Sequence, residues 1–249
     1  MSVMDAMLYN ELSKKDHTAL RQLISVCNQE DCTNYDTEPD ADFYYIIRNE
    51  DKEGSACDAN IISVLSGYLL GETLDGEKVL ELEAFTHPAL RRLGYFSLCF
   101  NSLRDDFRSY RFRFSVKSTD PESGTICEDT MQVLKALHAG HLYDELMMLK
   151  HLPGGISNPG DTISTEYGEL HFSPYNAHTL YLYGVLVYDR YLRQGHGREL
   201  MELAEKVPAG PYTELMLQVS SDNQIAYHLY ESMGYRIIDR MNYYLLPQA

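Results

Sequence analysis

The amino-acid sequence predicts an α/β fold built twice along one chain. Three observations carry this. Segments with strand and helix periodicity follow one another in the same order in both halves. Turn glycines recur, Gly94 and Gly195 lying 101 residues apart and Gly140 and Gly234 lying 94 apart. Between the halves, HLPGGISNPGD at 151–161 packs two Pro and three Gly into eleven residues and reads as a linker. Self-similarity of this kind marks a duplicated unit. The expected division is an N-terminal domain over 1–150, the linker, and a C-terminal domain over 162–249.

In the first half, Leu20, Leu23, Ile24 and Cys27 fall at helical spacing within 16–28, with Asp16 as the expected cap. An acidic loop follows to Asp42. Strands are expected over Phe43–Arg48, Ile61–Leu70 and Lys78–Thr86, with Asp75-Gly76 turning between the last two. The run Arg91-Arg92-Leu93-Gly94-Tyr95-Phe96 opens a helix whose apolar stripe is Phe96, Cys99, Phe100, Leu103 and Phe107. Alternation over Tyr110–Val116 predicts a strand. A helix over Ile126–Ala139, stopped by Gly140, and a strand over Leu142–Leu149 complete the half.

The second half repeats this order without a counterpart of helix 16–28. Strands are expected over Thr165–Phe172 and Leu180–Tyr188. The turn Leu192-Arg193-Gln194-Gly195-His196-Gly197 opens a helix lined by Leu200, Leu203, Ala204 and Val207. A strand through Leu215, Leu217 and Val219, a helix over Asn223–Ser232 closed by Gly234, and a strand over Arg236–Leu246 follow. Ser221 and Gln224 have capping-box spacing, which predicts helix entry at 221–223.

Composition narrows the class. In 249 residues, 44% apolar content supports packed cores. A formal net charge of −16 disfavours nucleic acid and anionic membranes and suits a cationic partner such as an amine. The five Cys, at 27, 32, 57, 99 and 127, show no CxxC pair and no zinc spacing, so no metal is expected. They read as reduced thiols. The start lacks the pattern of a secretory leader, and no apolar run is long enough to cross a bilayer, so a cytoplasmic protein is expected.

Two motifs carry chemistry. At 192–198 a strand ends, the chain turns on glycines and a helix begins. The first helical amides lack intrahelical partners and the helix dipole adds positive character, so a diphosphate is the natural ligand. Gly195 and Gly197 allow close backbone approach, and Arg193 and Arg198 add positive charge. In the segment 221–235, Asn223, Ala226 and Tyr230 share one helical face, and the small Ala226 leaves room beside it.

Together these motifs resemble the GNAT superfamily of acetyl-CoA-dependent N-acetyltransferases. That family's signature is R/Q-x-x-G-x-G/A at a strand-to-helix turn, then Asn-x-x-Ala-x-x-x-Tyr-x-x-x-Gly-Phe/Tyr. Asn223, Ala226, Tyr230, Gly234 and Tyr235 match the second part in full. Residues 192–197 match the first except at Leu192. In the first half, Arg91 and Gly94 match, Phe96 replaces the small residue, and pairing Gly140 with Gly234 sets Asp129 and Ala136 against Asn223 and Tyr230.

The resemblance implies an α/β (α+β mixed) architecture of two tandem GNAT folds, each a mixed, mostly antiparallel twisted sheet flanked by helices. It implies acetyl-CoA as co-substrate, held by Arg193, Gln194, Gly195, His196, Gly197, Arg198, Asn223, Ala226 and Tyr230 and by the strand backbone at Val185 and Val187. It implies acetyl transfer to an amine by direct attack, with Tyr230 as general acid. The second half is the expected catalytic copy and the first a degenerate one, with CoA binding at Arg91 and Gly94 left open. The family's strand carboxylate corresponds to Glu81 and Glu83, whose second-half equivalents read as Leu182 and Gly184. That leaves Glu169, His171 and Tyr183 as alternative bases. The competing reading is a non-catalytic acyl-CoA-binding or protein-interaction module.

Overall fold

The computed structural model describes residues 6–49, 60–71, 73–74, 76–206 and 209–247. The chain forms two compact units. The first comprises Met1–Asp120, Gly124–Leu142 and Asn242–Ala249, and the second comprises Pro121–Ser123 and Tyr143–Met241. Cys57 and Asp75 lie outside the described residues.

The first unit contains β1 (Met7–Tyr9), α1 (Lys14–Asp31), β2 (Phe43–Arg48), β3 (Ile61–Tyr68), β4 (Thr73–Leu74), β5 (Glu77–Thr86), α2 (Tyr95–Asp106), β6 (Tyr110–Lys117) and α3 (Glu128–Ala136). Its strands run in the order β1-β2-β3-β5-β6, with β4 on β5. Among these described pairs, β5–β6 is parallel and the others antiparallel. Strands β2 and β3 are buried along almost their whole length. One face meets Leu20, Leu23, Ile24 and Cys27 of α1. The other meets Cys99, Phe100 and Leu103 of α2 and Leu134 of α3. Burial on both faces explains why these strands read as continuous apolar runs.

The second unit is built from β7 (Gly140–Ile156), β8 (Thr162–Ser164), β9 (Gly168–Pro174), β10 (Thr179–Val187), α4 (His196–Glu205), β11 (Tyr212–Ser220), α5 (Gln224–Ser232) and most of β12 (Arg236–Leu245). Strands β7-β11-β10-β9-β8 are neighbours in that order. Among these described pairs, β10–β11 is parallel and the others antiparallel. Leu200, Met201 and Ala204 of α4 and Tyr230 of α5 pack on one sheet face. Met201 takes the buried place expected of Leu203, which is 39% exposed. Among the described residues, no helix of this unit corresponds to α1.

Several local expectations are corrected. The stretch read as a linker is strand as far as Ile156, which pairs with Tyr212. Its Gly155 serves close backbone approach, since a Cβ there would meet the Gly210 carbonyl oxygen at 2.3 Å. Residues 242–249 group with the first unit, where Asn242 Nδ2 donates to Val116 O at 2.8 Å and Leu246 N to Phe112 O at 2.9 Å. Ser13, not Asp16, caps α1, and Asp16 supplies the reciprocal half of its capping box. Asn223, not Ser221, caps α5 by accepting from Ala226 N. Ser221 Oγ accepts instead from Asp144 N at 2.8 Å.

The pairing of Gly140 with Gly234 is also corrected. Helices α3 and α5 each span nine residues. The left-handed residues after them are His138 (φ 54°) and Gly234 (φ 93°), while Gly140 begins β7. Their N-caps are Cys127 and Asn223. The equivalents of Asn223 and Tyr230 in the first unit are therefore Cys127 and Leu134, not Asp129 and Ala136.

Candidate active site

The geometry begins with a parting of strands. Strand β10 pairs with β11 from Thr179↔Glu214 to Leu182↔Leu217 and then leaves it, while staying with β9 as far as Val187↔Gly168. A wedge opens beyond Leu182. Strand β5 does the same in the first unit, leaving β6 after Leu82↔Phe114 but holding β3 to Thr86↔Ser63.

Both wedges end in the same turn. A 3-10 turn at Asp189–Tyr191 leads to extended Leu192, left-handed Arg193 (φ 59°) and Gly195 (φ 93°), which caps α4. In the first unit the order is Pro88–Leu90, extended Arg91, Arg92 (φ 63°) and Gly94 (φ 89°), which caps α2. A left-handed arginine costs about 1–2 kcal/mol, yet both units keep one. Among the described residues, the backbone amides of Arg193, Gln194, Gly195, His196 and Gly197 find no acceptor. Consecutive unpaired amides before a helix form an anion-binding cradle.

The side chains around the second turn are placed as follows. Arg193 is exposed. Gln194 Nε2 donates to Arg190 O at 3.0 Å. His196 stacks on Tyr167 at 4.3 Å and bonds Glu199 through Nδ1 at 2.7 Å, which fixes the ring at the turn. Arg198 reaches Ser232 at 2.5 Å and so ties the turn to the end of α5. A Cβ on Gly197 would stand 3.3 Å from Leu229 and 3.9 Å from Val187, so the turn packs closely against α5 and β10. Val185, Val187 and Ala226 are half-buried against the unit's core. Tyr230 is 6% exposed, and burial pushes its phenol up to about 12. The unmatched Leu192 is 50% exposed.

The first turn has more space and less free charge. A cavity of about 370 Å³ opens there between Phe85, Arg91, Gly94, Phe96, Phe114 and Leu134. Its arginines are already occupied. Arg91 meets both Asp31 oxygens at 2.6 Å, and Arg92 meets Asp129 at 2.6 and 3.0 Å. Cys127 Sγ also bonds Asp31 at 3.2 Å. In the second unit a concavity lined by Tyr227, Glu231 and Arg236 lies away from the turn. Room at the turn and available positive charge thus fall in different units. A neutralised guanidinium offers an anion little, so the second turn suits a diphosphate better.

The strand carboxylates need a new alignment. Leu82 and Leu182 both hold the last parallel pair, so the strands are offset by 100 residues and the turns by 101. One extra residue in β10 accounts for the difference. Between Tyr183↔His171 and Leu186↔Glu169, β10 spends three residues against two on β9, a β-bulge that includes left-handed Gly184. The equivalents of Glu81 and Glu83 are therefore Tyr181 and Tyr183, not Leu182 and Gly184. Glu83 itself is pushed up to about 7 by burial, against the hydrogen bond from Tyr68 at 3.0 Å. The three base candidates are brought together. His171 stacks on Tyr183 at 5.3 Å and lies 3.8 Å from Glu169. Neither the bulge nor the Asp31–Arg91 pair leaves a local signal in the sequence.

Residues 166–235 match the family model of the acetyltransferase (GNAT) family. The GCN5-related N-acetyltransferase of Sphaerobacter thermophilus superposes with a TM-score of 0.65 at 10% identity, covering 98% of this chain and 97% of that one. A tandem GNAT protein from the clavulanic acid biosynthesis pathway gives 0.62 at 10% identity, covering 98% and 99%. The fold is the tandem GNAT fold. A GCN5-related glucosamine N-acetyltransferase region of a fungal multi-domain protein also matches, with a TM-score of 0.65 at 10% identity, covering 99% of this chain and 38% of that one. A search by sequence among curated proteins returned no match. The residues matched by the family model include the turn, Asn223, Ala226 and Tyr230 of the second GNAT unit.

Proposed function

We propose that the chain is an acetyl-CoA-dependent N-acetyltransferase whose working site is the second GNAT unit. The observation that carries this is the run of acceptor-less amides from Arg193 to Gly197, free of any carboxylate on Arg193, in the same unit as the buried phenol of Tyr230. The residues fit the co-substrate. The amides of 193–197 with Arg193 and Arg198 suit the diphosphate. The strand backbone at Val185 and Val187, free of β11, suits the pantetheine amides. A bulge N–H is well sited to steady a developing oxyanion.

Acetyl-CoA supplies an activated thioester. The acceptor amine loses a proton and attacks the carbonyl carbon, so the C–N bond forms as the C–S bond breaks. Tyr230 gives its proton to the departing sulfur. A phenol held near 12 keeps its proton at neutral pH, as a donor must.

The acceptor is a small or peptide amine, and the net charge of −16 favours a cationic one. Cys27, Cys32, Cys99 and Cys127 are free thiols, which supports a reducing, cytoplasmic setting. No helix among the described residues is long and apolar enough to cross a membrane. Exposed Leu192, which stands where the family signature has Arg or Gln, favours a second reading, a non-catalytic acyl-CoA-binding or protein-interaction module. Isothermal titration with acetyl-CoA, followed by release of CoA thiol against an amine panel, separates the two. Binding without turnover supports the module.

A further inference from the structure

We propose that His171 is the group that takes the proton from the acceptor amine. This rests on the acyl-transfer reading of the second unit and adds the residue that it leaves open.

The argument begins with a substitution between the units. Glu83 holds the carboxylate position of β5, and its register equivalent in β10 is Tyr183. A neutral phenol has no readily available lone pair of useful basicity, whereas an imidazole has one. The residue directly across the ladder from Tyr183 is His171, whose equivalent across from Glu83 is Ser66. The imidazole stands where the serine hydroxyl stands in the other unit.

The bulge then lets that ring lie over β10. A Cβ on Gly184 would lie 2.8 Å from His171 Cδ2 and 3.6 Å from Nε2. The Nε2 edge thus lies over the first bulge residue, on the stretch of β10 that has already left β11. Gly184 is required twice, by its φ of 60° and by the ring that fills its side-chain space.

The ring is held on its other sides. Nδ1 and the Thr162 hydroxyl are 2.8 Å apart, and Tyr183 stacks with an interplanar angle of 27°. With Nδ1–H donating to Thr162, Nε2 keeps a lone pair that can take a proton. Glu169 Oε1, 3.8 Å from Nε2, steadies the imidazolium once the proton arrives. The His171 side chain is 30% exposed, so an acceptor can reach it.

The step balances. An ammonium acceptor gives one proton to Nε2 and becomes an amine. Its lone pair forms the C–N bond while the C–S bond breaks, and the sulfur takes a proton from Tyr230. The nitrogen's second proton restores Tyr230, and the imidazolium returns its proton to solvent.

The test measures CoA thiol release from acetyl-CoA with tyramine, spermidine, glucosamine and a lysine-containing peptide. His171→Gln is expected to cut kcat by about 100-fold while the acetyl-CoA KM stays within about threefold. Added imidazole is expected to restore part of the rate of His171→Ala, which a packing role would not produce. His171→Asn, which keeps a group near Nδ1, is the second variant should His171→Gln not fold. If the wild type turns over and these variants keep its rate, or if imidazole restores nothing, the assignment is overturned alone. If the wild type binds acetyl-CoA but acetylates none of the amines, the transfer reading falls and takes the assignment with it.

Discussion

The Arg91 guanidinium meets both carboxylate oxygens of Asp31, each at 2.6 Å, across the mouth of the first unit's cavity. The cation that the turn presents is matched within its own unit. Acetyl-CoA is therefore expected to bind once per chain, by titration calorimetry, through the second turn. Arg193→Ala should weaken binding about tenfold, and Arg91→Ala should leave it unchanged. Two equivalent sites per chain would overturn this. Asp31→Asn strips a largely buried guanidinium of its main partner and should lower stability by about 2 kcal/mol, read from denaturant midpoints.

Tyr230→Phe removes the hydroxyl and keeps the ring packed near Tyr235, whose centroid is 6.0 Å away. Turnover should fall about 100-fold, and acetyl-CoA affinity should hold within about twofold. Equal turnover in the two purified proteins would remove the general-acid role.

Asn223→Ala deletes the side-chain oxygen that accepts from Ala226 N at 3.2 Å. Loss of such a cap costs about 1 kcal/mol. The expected readout is a Tm lower by about 2–4 °C. An unchanged Tm would show that another group supplies the cap.

Glu83 links stability to pH. Its carboxyl ordinarily titrates near 4.5 and in the folded chain is pushed up to about 7, chiefly by burial. The folded state holds the proton longer than the unfolded chain does. The stability contribution is full below about pH 4.5 and is lost as pH rises through about 7. Glu83→Gln should therefore match the wild type near pH 4.5 and exceed it by up to about 3 kcal/mol at pH 8. Urea melts at the two pH values check the sign, and an equal gain at both would contradict it.

The parts of the fold legible in the sequence are those set by local pattern. The stripe of α1, the turn glycines Gly94 and Gly195, and the Asn223–Tyr230 spacing each depend on neighbours within a few residues. The misread parts depend on partners far away in sequence. Gly155 lies in a strand because Gly210 approaches its backbone. Ser221 gives up its capping part because Asp144 N claims its hydroxyl. His138 adopts a left-handed conformation that a sequence reader assigns to the nearby Gly140. The bulge in β10 changes no composition and no period, and it alone altered which residues stand for Glu81 and Glu83.

The end of β12 has a consequence for how the chain is made. Val116 O, Ser118 Oγ and Phe112 O of the first unit receive hydrogen bonds from Asn242 and Leu246. A chain leaving the ribosome has synthesised all of the second unit before these donors exist. The first unit is thus begun first and finished last. Until then the Val116 and Phe112 carbonyls on β6 stay without those donors, and a nascent chain paused before residue 242 would carry them exposed for a chaperone to guard.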